Sequence, residues 1–250
     1  MLTRDEVLRE LGLAPVWRLR RTPWDDALAP ADRTIAVPLT EPTSVREPMG
    51  TRLDERCARI ASLAFDALVE DIAGCRACVL CTTRSRTVPG AGSVNAQWMF
   101  VGEAPGADED AQGEPFVGAA GQLLDNMLAA LRLSRGVDVF IANVLKCRPP
   151  NNRTPDRLEA AACRPYLDRQ IELVAPRLIV ALGKSAACVL LDVDASVASL
   201  RRRVHRYRGT PLIVTYHPAY LLRSPADKAK AWEDLLFARR TLRELATGTG

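Results

Sequence analysis

Short runs of consecutive apolar residues alternate along this chain with longer segments that carry apolar residues at spacings of three and four. The runs have the length of buried strands and span residues 98–101, 137–143, 178–182 and 211–216. The longer segments predict helices over residues 53–72, 119–133, 155–174, 183–191 and 226–245. Strands that alternate with helices predict a parallel sheet covered on both faces. We therefore expect an α/β fold with three layers, α/β/α, around a central four-stranded, mostly parallel sheet.

The N-terminal part of the chain does not follow this alternation. A capping-box pattern predicts a short helix over residues 3–12, whereas residues 14–50 contain six prolines and little periodicity. This composition is typical of a linker or an extended arm, on which a protein partner can dock. The expected division is an N-terminal extension, residues 1–50, followed by one domain, residues 51–250.

Composition narrows the class of protein. Hydrophobic residues make up 48% of the chain and charged residues 26%, as in a soluble globular protein. No apolar run approaches the roughly 18 residues that cross a membrane, and the N-terminus lacks the apolar core of a signal peptide. We expect a cytoplasmic protein. Its net charge of +4 is compatible with nucleic-acid binding, and the arginines of residues 201–208 contact phosphates or form a solvated connection.

Polar and aromatic side chains follow the ends of three predicted strands. Glu103 comes directly after the first strand, with Phe116 in the loop beyond it, while Asn143 and His217 close two other strands. Because the carboxyl ends of parallel strands meet at one edge of a sheet, these residues are expected around one pocket. An asparagine at a strand end also commonly forms a turn, and a lone histidine is commonly structural, so the pattern alone leaves both interpretations open.

Four of the seven cysteines form two separated pairs. Cys75 and Cys78 have the C-x2-C spacing, and Cys147 and Cys163 follow the second strand. A chain without an export signal is not expected to hold a disulfide framework. Two pairs brought together by the fold supply the four thiolates of an iron–sulfur cluster, and a structural zinc site fits the spacing nearly as well. Cys81, although it is close to the first pair, is not expected to be a ligand.

Three sequence motifs carry a family resemblance. GEAPG at 102–106, followed by PFVG at 115–118 and AGQLL at 120–124, resembles the first motif of the family 4 uracil-DNA glycosylases. HPAYLLR at 217–223 resembles their second motif. The order of the four cysteines, with KCRPP around Cys147, resembles the ligand pattern of their [4Fe–4S] cluster. The resemblance covers about residues 55–245.

This resemblance implies a uracil-DNA glycosylase-like fold and a monofunctional hydrolase. Such an enzyme flips deoxyuridine out of DNA that contains uracil, hydrolyses the N-glycosidic bond and leaves an abasic site. It also implies a [4Fe–4S] cofactor held by Cys75, Cys78, Cys147 and Cys163, and a monomeric protein. The alternatives are a non-catalytic protein and one that traps uracil-DNA covalently. A trapping relative has GEQPG and a basic insertion after the second strand, and neither is present here.

The resemblance also implies a role for each residue of the pocket. Phe116 stacks on the flipped base, Asn143 reads its edge, and His217 stabilises the charge that develops on uracil O2. Glu103 orients or activates water, and Gly102 and Ala104 line the site. Ala104 stands where family 1 enzymes have an aspartate, so that aspartate has no equivalent here.

The second motif is expected to contact the DNA. Either Leu221 or Leu222 fills the gap left by the flipped base, unless both belong to a helix core, and Arg223 lies near a phosphate. In the first motif, Glu109 and Asp110 either shape the pocket against the methyl group of thymine or form a solvated loop.

Overall fold

The computed structural model describes residues 49–247, and side chains from residue 54 onward. The predicted helix over residues 3–12 and the proline-rich arm lie outside the described residues, so the division of the chain at residue 50 stays a prediction.

A six-stranded sheet forms the centre of the domain. Its strands are β1 (Ala91–Gly92), β2 (Trp98–Gly102), β3 (Val139–Asn143), β4 (Leu178–Leu182), β5 (His205–Tyr207) and β6 (Thr210–Thr215). They are arranged in the order β1-β3-β2-β4-β6-β5. The four central strands are parallel to one another, and they are the four strands predicted from the apolar runs. β1 and β5 are short antiparallel edge strands, which the sequence pattern did not predict.

Helices cover both faces of the sheet, so the predicted three-layer α/β/α architecture is confirmed. The helices are α1 (Met49–Ser62), α2 (Phe65–Gly74), α3 (Ala107–Gln112), α4 (Ala119–Ala130), α5 (Arg157–Val174), α6 (Gly183–Leu191), α7 (Val197–Leu200), α8 (Pro218–Arg223) and α9 (Lys228–Thr247). Apolar residues of α1, α2, α5 and α6 pack on one face. Apolar residues of α4 and α9 pack on the other. The central strands are buried on both faces, which is why they consist of consecutive apolar residues. Within the described chain, no helix is long and apolar enough to span a bilayer.

Three predicted elements differ from the structure. The helix predicted over residues 53–72 is two helices, and Arg169 donates a hydrogen bond to the Leu63 carbonyl at the break (2.9 Å). The helix expected from residue 155 begins at Arg157, because the Asp156 side chain accepts a hydrogen bond from the backbone of the first turn. Residues 201–208 are not simply a connection, since they include β5.

The parallel register fixes where the candidate residues lie. Gly102 of β2 pairs with Asn143 of β3, and both stand at the carboxyl ends of their strands. β6 ends at Thr215, two residues before His217, on the same edge of the sheet. Backbone hydrogen bonds from Val144 to the Gly102 carbonyl (2.9 Å) and from Leu145 to the Glu103 carbonyl (3.1 Å) hold the two loops together beyond the strands.

Candidate active site

An open cavity lies at this edge of the sheet. Its empty volume, including the open solvent at its mouth, is about 1710 Å3, and its walls include Glu103, Ala104, Phe116, Asn143 and His217. Arg223, from α8, lies at the same cavity. The residues predicted from three strand ends and one loop therefore converge on one pocket, with Gly102 buried beneath it.

Asn143 presents an unsatisfied polar atom to this pocket. Its side chain is buried, with 1% of the residue exposed, and its carboxamide oxygen Oδ1 has no hydrogen-bond partner among the described residues. A buried polar group without a partner costs about 1–3 kcal/mol, so a ligand that supplies a donor removes that penalty. The backbone of Asn143 is held, because Lys146 Nζ donates to its carbonyl oxygen at 2.7 Å.

Gly102 leaves the space in which Asn143 and Phe116 meet. A Cβ atom at position 102 would lie 2.4 Å from Asn143 Oδ1 and 2.7 Å from Phe116 Cζ. Such distances are below ordinary van der Waals contact, so any larger residue there would displace the amide of Asn143 or the ring of Phe116. The first glycine of the GEAPG motif therefore brings an aromatic face and a carboxamide together.

Phe116 is buried and has an unusual backbone. Its φ is +55°, in the left-handed region that non-glycine residues rarely adopt. Its ring stacks on the imidazole of His217, with ring centroids 5.5 Å apart and an interplanar angle of 28°. The ring is thus held on the pocket wall formed by the second motif.

His217 is neutral, and its hydrogen-bond pattern identifies the tautomer. Nδ1 accepts a hydrogen bond from the backbone N–H of Ala219 at 3.1 Å, so the ring proton is on Nε2. Burial lowers the pKa of the imidazole to about 4, and the nearby positive charge of Arg223 acts in the same direction. At neutral pH this side chain can donate one hydrogen bond without carrying a charge.

Glu103 is half-buried and lies between two cavities. It lines the pocket described above and also a neighbouring cavity of about 1570 Å3 on the side of α5 and α6. Its carboxylate is therefore accessible to water from either side.

The acidic pair of α3 does not form a solvated loop. Glu109 Oε1 accepts hydrogen bonds from the backbone of Val117 (2.9 Å) and Gly118 (3.2 Å), and its Oε2 accepts one from Gly106 (3.0 Å). Asp110 is buried and accepts a hydrogen bond from the backbone of Ser85 at 3.0 Å. Glu109 therefore shapes the pocket by holding the loop of the first motif.

The structure separates the two leucines of the second motif. Leu221 is 1% exposed, whereas Leu222 is 43% exposed on the same short helix. Leu221 therefore packs in the protein interior, which favours the helix-core alternative for this residue. Leu222 remains the candidate for the gap in the DNA stack.

One arginine of the basic segment is occupied inside the protein. Arg201 forms an ion pair with the buried Asp234 at 3.0 Å, and Asp234 also accepts a hydrogen bond from Thr215 Oγ1 at 3.0 Å. Arg201 thus supports the end of β6 next to the pocket and is not available to a phosphate.

A third, smaller cavity is surrounded by cysteines. It has an empty volume of about 280 Å3, and Cys75, Cys78, Cys147 and Cys163 all line it, as does Cys81. Burial raises the pKa of the Cys163 thiol to about 12 and raises the pKa values of the Cys78 and Cys147 thiols. Metal ligation stabilises such thiols in the deprotonated form.

The cysteines supply thiolate donors of the kind that iron–sulfur clusters use. Over residues 54–247, no three His, Cys, Asp or Glu side chains form a group that could hold a metal ion. N–H groups also point at the sulfurs: Arg84 Nη1 donates to Cys147 Sγ at 3.1 Å, and the Lys146 backbone donates to Cys163 Sγ at 3.3 Å. Hydrogen bonds of this kind are typical of the ligands of iron–sulfur clusters.

Sequence reasoning missed the residues that hold the pocket from behind. They are Lys146, behind Asn143, and Arg135 with Asp125, behind Phe116. Lys146 lies in the KCRPP motif, in which the sequence predicted a role only for the cysteine. No spacing or motif marks Arg135 or Asp125, because their roles depend on contacts across a loop.

The fold and the pocket define a class of protein, and the comparisons agree with it. The family model described as the uracil DNA glycosylase superfamily matches residues 89–236, and the chain belongs to this superfamily.

Relatives described as type-4 uracil-DNA glycosylases lie within that superfamily. The protein of Pyrobaculum aerophilum is 48% identical over 176 residues, which are 67% of this chain and 89% of the relative. The protein of Archaeoglobus fulgidus is 46% identical over 170 residues, which are 65% of this chain and 85% of the relative. The protein of Sulfurisphaera tokodaii is 41% identical over 191 residues, 73% of this chain and 85% of the relative.

Proposed function

We propose that this chain is a type-4 uracil-DNA glycosylase. It hydrolyses the N-glycosidic bond of deoxyuridine in DNA, releases uracil and leaves an abasic site for base-excision repair. The observation that carries this proposal is the buried, unpartnered carboxamide oxygen of Asn143 beside the ring of Phe116.

The pocket recognises the base by stacking and by hydrogen bonding. The nucleotide leaves the DNA stack, which costs a few kcal/mol, and the base meets the ring of Phe116. Asn143 Oδ1 accepts the N3–H of uracil, and the amide nitrogen donates to O4. Cytosine has an acceptor at N3 and a donor at C4, so the same orientation of the amide rejects it.

His217 stabilises the leaving group. As the glycosidic bond breaks, negative charge develops on uracil O2, and the Nε2–H of the neutral imidazole donates a hydrogen bond to it. A buried donor that needs no reorganisation is worth more in this pocket than in water. The sugar becomes cation-like at the same moment, and Glu103 orients the water that attacks it.

The second motif holds the DNA around the flipped nucleotide. The exposed side chain of Leu222 fills the gap in the stack, and Arg223 lies near a phosphate. We also propose that the protein acts as a monomer, as the family resemblance implies, and in the cytoplasm, as its composition suggests. Strand cleavage, which would need a lysine that forms a Schiff base, is not part of the proposal. The one lysine in the wall of the described pocket is Lys184, which pairs with Asp194 at 2.8 Å.

The four cysteines hold a [4Fe–4S] cluster in this proposal. They come from the loop after α2, the loop after β3 and the middle of α5. When bound, the cluster supplies covalent cross-links between these segments and takes no part in bond cleavage. Ligation at Cys147 holds the loop that begins at Asn143, so the cysteine cluster supports the pocket from one side.

Base release from matched oligonucleotides tests the proposal. Each oligonucleotide carries one uracil, thymine or cytosine, and Asn143→Ala and His217→Ala are assayed beside the wild type. We expect multiple turnover on uracil only, and strong loss in both variants. Tight binding without release would indicate a non-catalytic protein, and a protein–DNA band on a denaturing gel would indicate covalent trapping.

A further inference from the structure

The backbone at Phe116 is held in a conformation that it would not adopt by itself. A φ of +55° is unfavourable for a non-glycine residue relative to the right-handed region. The strain persists only because contacts around the loop compensate for it. Those contacts decide where the ring of Phe116 lies.

Arg135 makes the principal contacts. It follows α4, and its guanidinium donates from Nη1 to the carbonyl of Pro115 at 2.8 Å and from Nη2 to the carbonyl of Phe116 at 2.7 Å. Its Nε donates to Asp125 of α4 at 2.7 Å, which fixes the plane of the guanidinium. Three donors of one rigid group are thus used on one side of the loop.

The backbone of α4 also contacts the Phe116 carbonyl. A Cβ atom at Gly121 would lie 1.7 Å from the Phe116 carbonyl oxygen, so the helix touches the loop with bare backbone at this point. Arg135 and α4 therefore both restrict this carbonyl, and the ring of the same residue stacks on His217.

We propose that Arg135 is a positioning residue for the pocket, which holds Phe116 in the left-handed conformation that places its ring against His217 and beside Asn143. The inference rests on the proposed function, because the ring is assigned to the flipped base. Lysine cannot replace Arg135, since a single ammonium does not hold two carbonyls in a fixed plane.

A double-mutant cycle tests whether Arg135 acts through the ring. Single-turnover uracil release is measured for Arg135→Gln, for Phe116→Ala and for the pair, at saturating enzyme. We expect Arg135→Gln to slow release by about tenfold to a hundredfold. The same change in the Phe116→Ala background should have almost no further effect. A loss of equal size in both backgrounds, or no loss at all, would overturn the proposal.

Arg132→Gln is the matched control. Arg132 is exposed three residues earlier in the same loop, so the change removes the same charge from the same part of the surface. If Arg132→Gln weakens release as much as Arg135→Gln does, the effect is long-range attraction of DNA and the proposal is wrong.

A spectroscopic readout keeps the inference separate from the activity. The chain has two histidines, so His217 and His205 give two sets of ring signals in an NMR spectrum. We expect Arg135→Gln to shift the His217 ring protons in the same direction as Phe116→Ala does, while His205 serves as the internal reference. Unchanged His217 signals would refute the positioning role even if activity fell. A shift in a protein that releases no uracil would support the positioning role while refuting the proposed function. Should the Gln variant fail to fold, Arg135→Lys is read in the same way.

Discussion

Replacing Gly102 with alanine tests the pocket most directly, because it adds one methyl group where Asn143 and Phe116 meet. The new Cβ would lie 2.4 Å from Asn143 Oδ1 and 2.7 Å from Phe116 Cζ. Non-bonded atoms pack at about 3.5–4.0 Å, so the amide and the ring must each retreat by about 1 Å. A displacement of this size at a reacting centre reduces the rate by about a hundredfold, which corresponds to about 3 kcal/mol of transition-state stabilisation.

The assay separates this effect from a loss of stability. Overpacking costs about 1–3 kcal/mol of folding free energy, so thermal unfolding is measured alongside uracil release under single-turnover conditions. Gly136→Ala is the control, because a Cβ atom at Gly136 meets no other atom within 4 Å. We expect Gly136→Ala to retain the wild-type rate, and Gly102→Ala to lose about a hundredfold while the protein remains folded at the assay temperature.

One outcome would refute the reasoning. If folded Gly102→Ala releases uracil at the wild-type rate, the base does not bind between Asn143 and Phe116. The roles proposed for both side chains would then be wrong.

Three further predictions follow from burial and charge. Because the pKa of His217 is about 4 in the folded protein and about 6.5 in the unfolded chain, only the unfolded chain gains its proton as the pH falls from 6.5 to 5. This lowers the free energy of unfolding by about 2 kcal/mol. Urea titrations at both pH values will detect the difference, and His217→Gln should remove this contribution. Leu222→Ala should slow excision from duplex DNA more than from single strands, and equal effects on the two substrates would count against the insertion of Leu222 into the DNA stack. Leu221→Ala should chiefly lower the free energy of unfolding, by about 2–5 kcal/mol. Cys163→Ser should abolish the broad absorption of the purified protein near ~400 nm, and Cys81→Ser should retain it. The opposite result would make Cys81 a cluster ligand in place of Cys163.

The apolar pattern was sufficient to locate the central strands, because strands that are buried on both faces consist of consecutive apolar residues. Each of the four predicted strands has consecutive apolar residues, and all four pair in parallel. The edge strands carry no such signal. β1 is Ala91–Gly92 and β5 contains a histidine and an arginine, so only their hydrogen bonds to a neighbour identify them as strands.

The residues of the pocket likewise divide into those that the sequence predicts and those that only the structure identifies. Glu103, Phe116, Asn143 and His217 could be named from strand ends and motifs, and a parallel sheet brings them together. The distinction between Leu221 and Leu222 could not be made, since adjacent residues differ only in the direction that the helix gives them. Arg135 could not be predicted either. Its partners are backbone carbonyls in a loop about twenty residues away, and because every residue has such a carbonyl, no residue type indicates the contact.

By itself, therefore, the sequence determined the three layers, the positions of the central strands along the chain and the two motifs that line the pocket. These depend on local properties: side-chain polarity, its period and the identity of a few residues. The tertiary structure alone decided which of two adjacent leucines is exposed to solvent. It also decided that the Asn143 carboxamide oxygen lacks a hydrogen-bond partner among the described residues, and that the Arg135 guanidinium holds the strained loop. These depend on distances between residues far apart in the chain, and such distances are set only when the whole core packs.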